Sequence, residues 1–253
     1  MISIILPISR KTHLQKIFAL LDMMDCPPDT NLLCYADTDM DTFQVARNFT
    51  IHSKFKERLC IYRNKGIPGT GSIRMRRQRI SDIHNEIKEL IKNSEYLFLI
   101  EDDTVFPLNA ITKLQKAFSS HQYAGIISGV QLGRHGWTHI GAWQANDVYE
   151  PTKIWSVENS EGIKPVDATG LYCCMIRTEN YRLHNFEPFQ DILGPDVNLG
   201  FWLRRQGFQN YVDYSLRCGH LTPKEEINFA NSQVQQVEFE KQGNDWAQGL
   251  KVI

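Results

Sequence analysis

The sequence lacks the patterns that mark several large protein classes. No apolar run is long enough to span a bilayer, and the apolar start M-I-S-I-I-L-P has no basic region of a signal peptide. We therefore expect no transmembrane segment and interpret residues 2–6 as a first strand. The six cysteines form no C-x-x-C pair, and several lie in apolar surroundings where a free thiol behaves as a small hydrophobe, which indicates a reducing, cytoplasmic compartment. The net charge of −1 does not favour a polyanionic partner.

Two nucleotide-binding signatures are also missing. The chain contains no G-x-G-x-x-G turn, which argues against a dinucleotide-binding Rossmann domain. The Gly-rich stretch Gly66–Ser72, G-I-P-G-T-G-S, has the glycines and the Ser of a P-loop but not its Lys. A P-loop ATPase is therefore disfavoured as well.

The sequence does contain a regular alternation of strand-like and helix-like segments. Its 253 residues, 42% apolar and 23% charged, are typical of a soluble globular protein with a substantial core. Up to residue 107, short β-branched strands alternate with amphipathic helices, as in a mainly parallel sheet with helical crossovers. We find neither a repeat nor a linker, and predict one compact α/β domain with helices on both faces of the sheet.

The second half of the chain has a less regular pattern. One strand is predicted over Val166–Ile176 and another over Tyr211–Cys218. Between them a helix is expected to begin at Pro195 and to end at Gly207. Residues 223–253 are predicted to form a helical extension, because four apolar residues share a helical spacing there: Ile227, Ala230, Val234 and Val237.

The most informative stretch is Ser94–Pro107, S-E-Y-L-F-L-I-E-D-D-T-V-F-P. Its apolar part predicts a strand buried on both faces, and this strand runs directly into Glu101, Asp102 and Asp103. Crowded carboxylates at the end of a buried strand repel one another and lose hydration, so we expect a cation there. Ligands of open α/β sheets bind at that end of the strands. The alternative is a strand that ends in a solvated acidic turn.

The order of these motifs resembles that of the GT-A glycosyltransferases, most closely family-2-like members, over roughly residues 2–222. The shared pattern is a strand followed by E-D-D, a Gly inside a later strand, D-x-x-L-x-x-x-L-x-x-x-G from Asp196, and a strand ending in His220. The resemblance implies a Rossmann-like fold with a donor-binding half (1–107), an acceptor-binding and catalytic half (108–222) and the extension at 223–253. It also implies metal-dependent transfer of a sugar from a nucleotide-diphosphate sugar, with UDP favoured, to an acceptor hydroxyl.

In that family a D-x-D-like triplet holds a divalent metal against the donor diphosphate. The resemblance assigns direct ligation to Asp103 and a more water-mediated role to Glu101, although Glu in the first position departs from the family pattern. His220 matches the late metal-ligand His of the family. Hard cations take one or two carboxylates plus phosphate oxygens, and an imidazole ligand favours Mn²⁺ over Mg²⁺.

The resemblance assigns the catalytic base to Asp196. It matches the acidic residue at the start of the acceptor-side helix, which in inverting members takes the proton from the acceptor hydroxyl. Pro195 replaces the Glu that usually precedes this acid, and Asp191 is the reserve candidate. The alternative for Asp196 is an acid that the helix dipole favours at an N-terminus.

The resemblance also implies contacts with the nucleotide-sugar donor. In chain order these contacts are Pro7, Ile8, Ser9, Asp37, Asp39, Arg74, Arg77, Asp102, Asp167 and Gly170. The first three match the loop that holds the nucleoside, and Asp37 or Asp39 matches the acid that reads the base or ribose. The two arginines follow the Gly-rich loop, and a guanidinium suits bidentate phosphate contact. Gly170 matches a small residue beside the sugar.

Other functions stay open at this point. A sugar-phosphate nucleotidyltransferase has a similar sheet, but it carries a Gly-rich basic loop after the first strand, and Leu6–Arg10 has no glycine. A non-catalytic nucleotide-sugar or carbohydrate binder would keep the fold and lose the base, which is compatible with Pro195. The acceptor is a glycan, a small molecule or, given the basic run I-R-M-R-R-Q-R, a nucleic acid.

Overall fold

The computed structural model describes residues 1–64, 71–91, 94–132, 139–190, 193–221, 227–228, 236–243 and 245–251. The helices are α1 (Leu14–Met23), α2 (Met40–His52), α3 (Ile73–Leu90), α4 (Ala110–Ser120), α5 (Thr178–Leu183) and α6 (Pro195–Arg205). The strands are β1 (Ile2–Ile8), β2 (Asn31–Asp37), β3 (Arg58–Arg63), β4 (Tyr96–Ile100), β5 (Thr104–Val105), β6 (Ala124–Val130), β7 (Ala142–Ala145), β8 (Lys153–Ser156), β9 (Ile163–Val166), β10 (Ala168–Thr169), β11 (Cys173–Arg177), β12 (Gln209–Arg217), β13 (Gly219–Leu221), β14 (Ile227–Asn228), β15 (Gln236–Gln242) and β16 (Asp245–Lys251). Within these ranges, no helix has both the length and the apolar character needed to cross a membrane.

The central sheet has eight strands in the order β3-β2-β1-β4-β11-β6-β12-β9. The first four are mutually parallel, and β6 runs parallel to β12. Strand β11 is antiparallel to both of its neighbours, and β9 is an antiparallel edge strand. The predicted mainly parallel central sheet is therefore confirmed. Because β1, β2 and β4 are parallel, their carboxyl ends meet at one edge.

Helices cover both faces of this sheet, as predicted. Ile4 and Leu6 of β1 point into a core shared with α1 and α4, whereas Ile5 points into a core shared with α3, α5 and α6. This alternation follows from the two-residue period of a strand, and it explains why strands buried on both faces are nearly continuous apolar runs. The two cores fix the position of the carboxyl edge of β1, β2 and β4.

The single strand predicted over Val166–Ile176 is wrong, because the chain changes sheet there. Ala168 and Thr169 pair with β7 in a second sheet, whereas Cys173 begins β11 between β4 and β6. The crossing occurs at Gly170, whose N–H donates to Gly141 O at 2.8 Å. A Cβ at Gly170 would lie 2.5 Å from the Tyr172 ring, so only glycine fits the crossing.

The helical extension predicted for residues 223–253 is also wrong where the structure describes that segment. Strands β15 and β16 form an antiparallel hairpin, and β15 continues the second sheet by pairing with β8. Within β15 the sequence V-E-F-E alternates apolar and acidic residues, a strand period that the wider helical spacing concealed. Phe239 packs on Trp143, with 5.8 Å between the ring centroids. Ala230 and Val234 lie outside the described residues.

Two buried histidines make the stability of the fold dependent on pH. His84 Nδ1 hydrogen-bonds the Tyr181 hydroxyl at 2.7 Å, and His184 packs against Phe186 and lies near Lys88. Burial lowers the pKa of each ring from 6.5 to about 4. Between these values the unfolded chain binds protons that the folded chain does not. These two rings therefore do not lower the free energy of unfolding above about pH 6.5. As the pH drops towards 4, each ring lowers it by roughly 1.4 kcal/mol per pH unit.

We expect urea unfolding to show a clearly lower free energy of unfolding at pH 5.5 than at pH 7.5. His184→Phe removes one titrating ring from an apolar position and should reduce this difference. The matched control is His52→Gln, since His52 is exposed at the end of α2 and should leave the difference unchanged. Equal stability of the parent chain at the two pH values would contradict this account.

Candidate functional site

The candidate site lies at the carboxyl edge of β1, β2 and β4. The loop Ser9–Arg10 follows β1, Asp37 ends β2, and Glu101–Asp103 follows β4. Helix α1, which follows β1, packs on one face of the sheet, whereas α3, which leads into β4, packs on the other. The winding of the sheet thus reverses between β1 and β4, and such a reversal opens a ligand-binding crevice at the carboxyl ends of the strands.

Asp102 connects the ends of β4 and β1. Its carboxylate is buried and accepts hydrogen bonds from the backbone N–H groups of Ser9 (2.7 Å) and Arg10 (2.9 Å). The Ser9 hydroxyl donates to it at 3.1 Å, and the Arg10 guanidinium forms a two-pronged contact with it. Ser9 and Asp102, which the resemblance assigns to the donor, therefore bind each other and shape the floor of the crevice.

Asp103 is brought against His220 by the pairing of β13 with β5. In that pairing His220 lies opposite Thr104, and the Leu221 N–H donates to Asp103 O at 2.8 Å. His220 Nδ1 lies 3.0 Å from the carbonyl oxygen of Leu132, which can only accept, so Nδ1 is the donor. This bond directs Nε2 at Asp103 Oδ2, 3.1 Å away. The residues predicted as metal ligands at positions 103 and 220 thus meet in space.

The donor set formed by Asp103 and His220 fits a divalent cation that also binds a substrate. Two atoms that each lie about 2.1 Å from one ion are separated by about 3 Å, as Oδ2 and Nε2 are. Among the residues that the structure describes, no group of three His, Cys, Asp or Glu side chains could hold a metal alone. Mg²⁺-like ions are commonly bound through one or two carboxylates plus substrate phosphates, so an incomplete protein site is the expected arrangement.

Arg10 is a site residue that the sequence interpretation missed. Its Nη1 lies 2.9 Å from Asp103 Oδ2, while the rest of the guanidinium binds Asp102. The signal was present in the sequence, because Arg10 comes two residues after β1 and the acidic triplet comes directly after β4. In a parallel sheet with β1 beside β4, these two segments share an edge.

Asp196 occupies the first turn of α6, which begins at Pro195. Burial raises the pKa of the Asp196 carboxyl above its usual value, and the N–H of Val197 and the charge of Arg77 oppose that rise. Asp196 and Glu101 both raise the pKa of the buried Cys174 thiol, after burial itself, so these carboxylates approach one region of β11. The structure therefore brings the candidate base to the same end of the sheet as the acidic triplet.

The other predicted donor residues have contacts within the protein. Asp37 is buried and paired with Arg79 of α3. Asp39 caps α2 by accepting the Thr42 N–H at 2.8 Å, and this bond is the largest cause of a lowered Asp39 pKa. Arg74 and Arg77 lie in the first turns of α3, where Arg74 is exposed and Arg77 partly buried.

Asp167 and Gly170 also have contacts within the protein. Asp167 accepts hydrogen bonds from the Ala145 N–H at 3.0 Å and Arg204 Nε at 3.1 Å, which links the second sheet to α6. Gly170 makes its close approach to the Tyr172 ring, a neighbour within the protein.

Pro7 and Ile8 form the last two residues of β1, where they pair with β2. Asp191 and residues 66–70 of the Gly-rich stretch lie outside the described residues.

Helix α6 packs closely against β10 at Gly200, where a side chain would not fit. A Cβ there would lie 2.4 Å from Ala168 Cβ. Gly→Ala within a helix normally stabilises by about 1 kcal/mol, but overpacking of a tight contact costs about 1–3 kcal/mol. We expect Gly200→Ala to lower the free energy of unfolding measured in urea, and the added change Ala168→Gly to restore little of it, because the new Cβ would still lie 2.5 Å from the Cα of residue 168. Stabilisation by Gly200→Ala would show that α6 is not fixed by this contact.

Comparisons with known proteins agree with this fold. A family model described as glycosyltransferase like family 2 matches residues 17–237. A search of curated proteins found no match. Among solved structures, a mannosyltransferase from Pyrobaculum calidifontis in complex with GDP-Man and Mn²⁺ shares 11% identity, with 84% of this chain and 54% of that chain covered and a TM-score of 0.55.

Two further solved structures have the same fold at similarly low identity. GalNAc-T7 with UDP, GalNAc and Mn²⁺ is 11% identical, with 87% of this chain and 43% of that chain covered and a TM-score of 0.59. Residues 1–349 of TarS from S. aureus, in complex with UDP-GlcNAc, are 10% identical, with coverages of 84% and 55% and a TM-score of 0.52. This chain thus spans about half the length of these proteins. The GT-A fold is confirmed, and the chain belongs to glycosyltransferase like family 2.

Proposed function

We propose that the chain transfers a sugar from a nucleotide-diphosphate sugar to an acceptor hydroxyl, in a reaction that depends on a divalent metal. The observation that carries this proposal is the contact between Asp103 and His220 at the carboxyl end of β4, within a family-2 domain. The complexes of the structural neighbours support it, since these proteins are bound to GDP-Man, UDP or UDP-GlcNAc, and two of them also to Mn²⁺. The proposed donor half is residues 1–107, and the acceptor half is residues 108–222.

On the donor side, Asp103 and His220 would hold the metal directly and Glu101 would act through water. A divalent cation there neutralises the negative charge that the leaving nucleoside diphosphate gains as the sugar bond breaks. The imidazole ligand favours Mn²⁺ over Mg²⁺. Arg74 and Arg77 begin α3 on the same side and are suited to contact the diphosphate oxygens.

The nucleoside would lie along the ends of β1 and β2. Pro7, Ile8 and Ser9 would hold the nucleoside there, and Asp37 with Arg79 would present a fixed carboxylate and guanidinium to the base or ribose. Asp39 is engaged in capping α2, so Asp37 is the stronger of the two candidates. We favour a UDP-sugar, and propose a reducing, cytoplasmic setting.

On the acceptor side, Asp196 would accept the proton of the attacking hydroxyl. Burial raises the pKa of Asp196, which makes it a better proton acceptor than an exposed Asp, while the Val197 N–H and the charge of Arg77 oppose that rise. A base on the acceptor side implies direct attack with inversion at the sugar carbon. Asp191 keeps the reserve role, and the acceptor is a glycan, a small molecule or a nucleic acid.

The test is a panel of UDP-, GDP-, ADP- and TDP-sugars, assayed for nucleotide release with Mn²⁺, Mg²⁺ or EDTA. No acceptor is needed, because many glycosyltransferases slowly hydrolyse their donors. We expect metal-dependent release from one nucleotide class. Metal-dependent binding of a nucleotide sugar without release would indicate an acceptor-gated enzyme or a non-catalytic binder. Neither binding nor release with any donor would contradict the proposal.

A further inference from the structure

We propose that Arg10 is an internal counter-cation of the acidic site, and that its guanidinium and a divalent metal ion are alternative partners of Asp103. This inference rests on the proposed metal site. Arg10 belongs neither to the acidic triplet of the family pattern nor to its late metal-ligand His. Arg10 lies in the loop after β1 and reaches both Asp102 and Asp103 across the edge of the sheet.

Arg10 compensates the negative charge of two buried carboxylates. Asp102 and Asp103 are 2% and 0% exposed, so both carboxylates have lost most of their hydration. Two adjacent buried carboxylates are strongly unfavourable unless a cation or hydrogen bonds compensate them. Arg10 meets this need, because it binds Asp102 through Nε and Nη2 and Asp103 through Nη1.

Arg10 and a metal ion would bind the same oxygen, Asp103 Oδ2. Asp103 Oδ2 lies 2.9 Å from Arg10 Nη1 and 3.1 Å from His220 Nε2. A metal bound by Oδ2 and Nε2 would sit about 2.1 Å from each of them, close to the guanidinium. Two positive charges that share one oxygen repel each other, so the contact between Nη1 and Oδ2 must open when the metal binds.

The contact between Arg10 and Asp103 can open while the contacts between Arg10 and Asp102 remain. Its contacts with Asp102 use other atoms of the guanidinium, and its side chain is 31% exposed. The backbone N–H groups of Ser9 and Arg10 also bind Asp102, so the loop itself stays in place. Opening of the contact therefore requires a change of the Arg10 side chain only.

The test uses Mn²⁺ as the probe, both alone and with UDP present to supply the phosphate oxygens that complete the coordination, in titrations that follow free Mn²⁺ by electron paramagnetic resonance against a protein-free blank. Arg10→Gln removes the charge and keeps a polar side chain that can still donate to Asp102. The matched control is Lys11→Ala, which removes the same charge from the exposed neighbouring residue. Thermal unfolding of each variant in EDTA and in Mn²⁺ provides a second readout.

We expect Arg10→Gln to bind Mn²⁺ about tenfold more tightly than the parent chain, whereas Lys11→Ala changes the affinity by less than about twofold, as expected for a screened surface charge. In EDTA the melting temperature of Arg10→Gln should fall, and Mn²⁺ should restore more of it than in the parent. If Arg10→Gln unfolds, Arg10→Lys keeps the charge without the two-pronged contact and should shift both readouts in the same direction by less.

Equal Mn²⁺ affinities of Arg10→Gln and Lys11→Ala, with binding by the parent intact, would overturn the role of Arg10 and leave the metal site standing. Absence of Mn²⁺ binding in the parent but not in Arg10→Gln would support the inference, since the internal cation would then dominate. Absence of binding in all variants would overturn both the inference and the metal site.

Discussion

Replacing Asp103 with Asn is expected to abolish metal-dependent nucleotide release. The substitution preserves the shape of the side chain but removes the negative charge that faces His220 Nε2. Charge neutralisation by a metal contributes several kcal/mol to such a reaction, so we expect a loss on the order of a thousandfold. The measurement is the initial rate of nucleotide release in saturating Mn²⁺, with the donor that the panel identifies.

The matched control for this prediction is Asp22→Asn. Asp22 is an exposed carboxylate of α1, so the same chemical change there should leave the rate within about twofold of the parent, as for an ordinary surface substitution. Circular dichroism and thermal unfolding distinguish loss of function from loss of fold. A folded Asp103→Asn chain that retains the parental rate and metal dependence would contradict the assignment of Asp103.

Replacing Asp196 with Asn should slow transfer to the acceptor by on the order of 10² to 10⁴, the range expected for loss of a general base. Mn²⁺ affinity and donor binding should stay close to parental values, because the metal is assigned to Asp103 and His220 and not to Asp196. Glu187→Gln is the matched control, since Glu187 is an exposed acid that precedes the same helix. Parental transfer rates in Asp196→Asn would contradict its role as the base.

The pH profile gives an independent readout of the same residue. Burial raises the pKa of Asp196, so its ionised form is lost at a higher pH than that of an exposed Asp as the solution is acidified. Transfer by the parent chain should therefore fall on the acid side at a pH above the usual Asp range near 4. Asp196→Asn should lose this acid limb and keep only the residual rate.

The first half of the fold could be predicted because local and long-range signals agree there. One of the amphipathic helices predicted in this half forms as Ile73–Leu90, and Ser72 caps it by accepting the Met75 N–H at 3.3 Å. The apolar run before Glu101 forms β4, buried on both faces. In this region short apolar strands alternate with amphipathic helices, so the periodicity identifies these elements.

The second half could not be predicted in the same way, because its strands are defined by partners that are distant in the chain. Val166–Ile176 is one apolar stretch in sequence, yet its two ends pair with β7 and with β4 and β6. The hairpin of β15 and β16 is stabilised by pairing with β8, and the helical spacing of scattered apolar residues hid its alternation. Tertiary pairing overrode the local pattern in both cases.

The site shows the same division between local and long-range information. The sequence predicts the position of the acidic triplet, because the triplet directly follows a buried strand. The contact between Asp103 and His220 instead depends on the pairing of β5 with β13, and these two residues are 117 positions apart in the chain. The role of Ser9 in binding Asp102, and of Arg10 in binding Asp102 and Asp103, depends on the neighbouring positions of β1 and β4. Ion pairs of this kind are set by side-chain reach, which periodicity does not encode.

The central claim is that the carboxyl edge of β1, β2 and β4 holds a metal and a nucleoside diphosphate together. The most direct measurement is a crystal structure of the chain with Mn²⁺ and UDP or GDP, with anomalous data collected at the manganese edge. We expect one anomalous peak at about 2.1 Å from Asp103 Oδ2 and His220 Nε2, in contact with the diphosphate. A nucleotide bound elsewhere, or a peak remote from Asp103, would contradict the account.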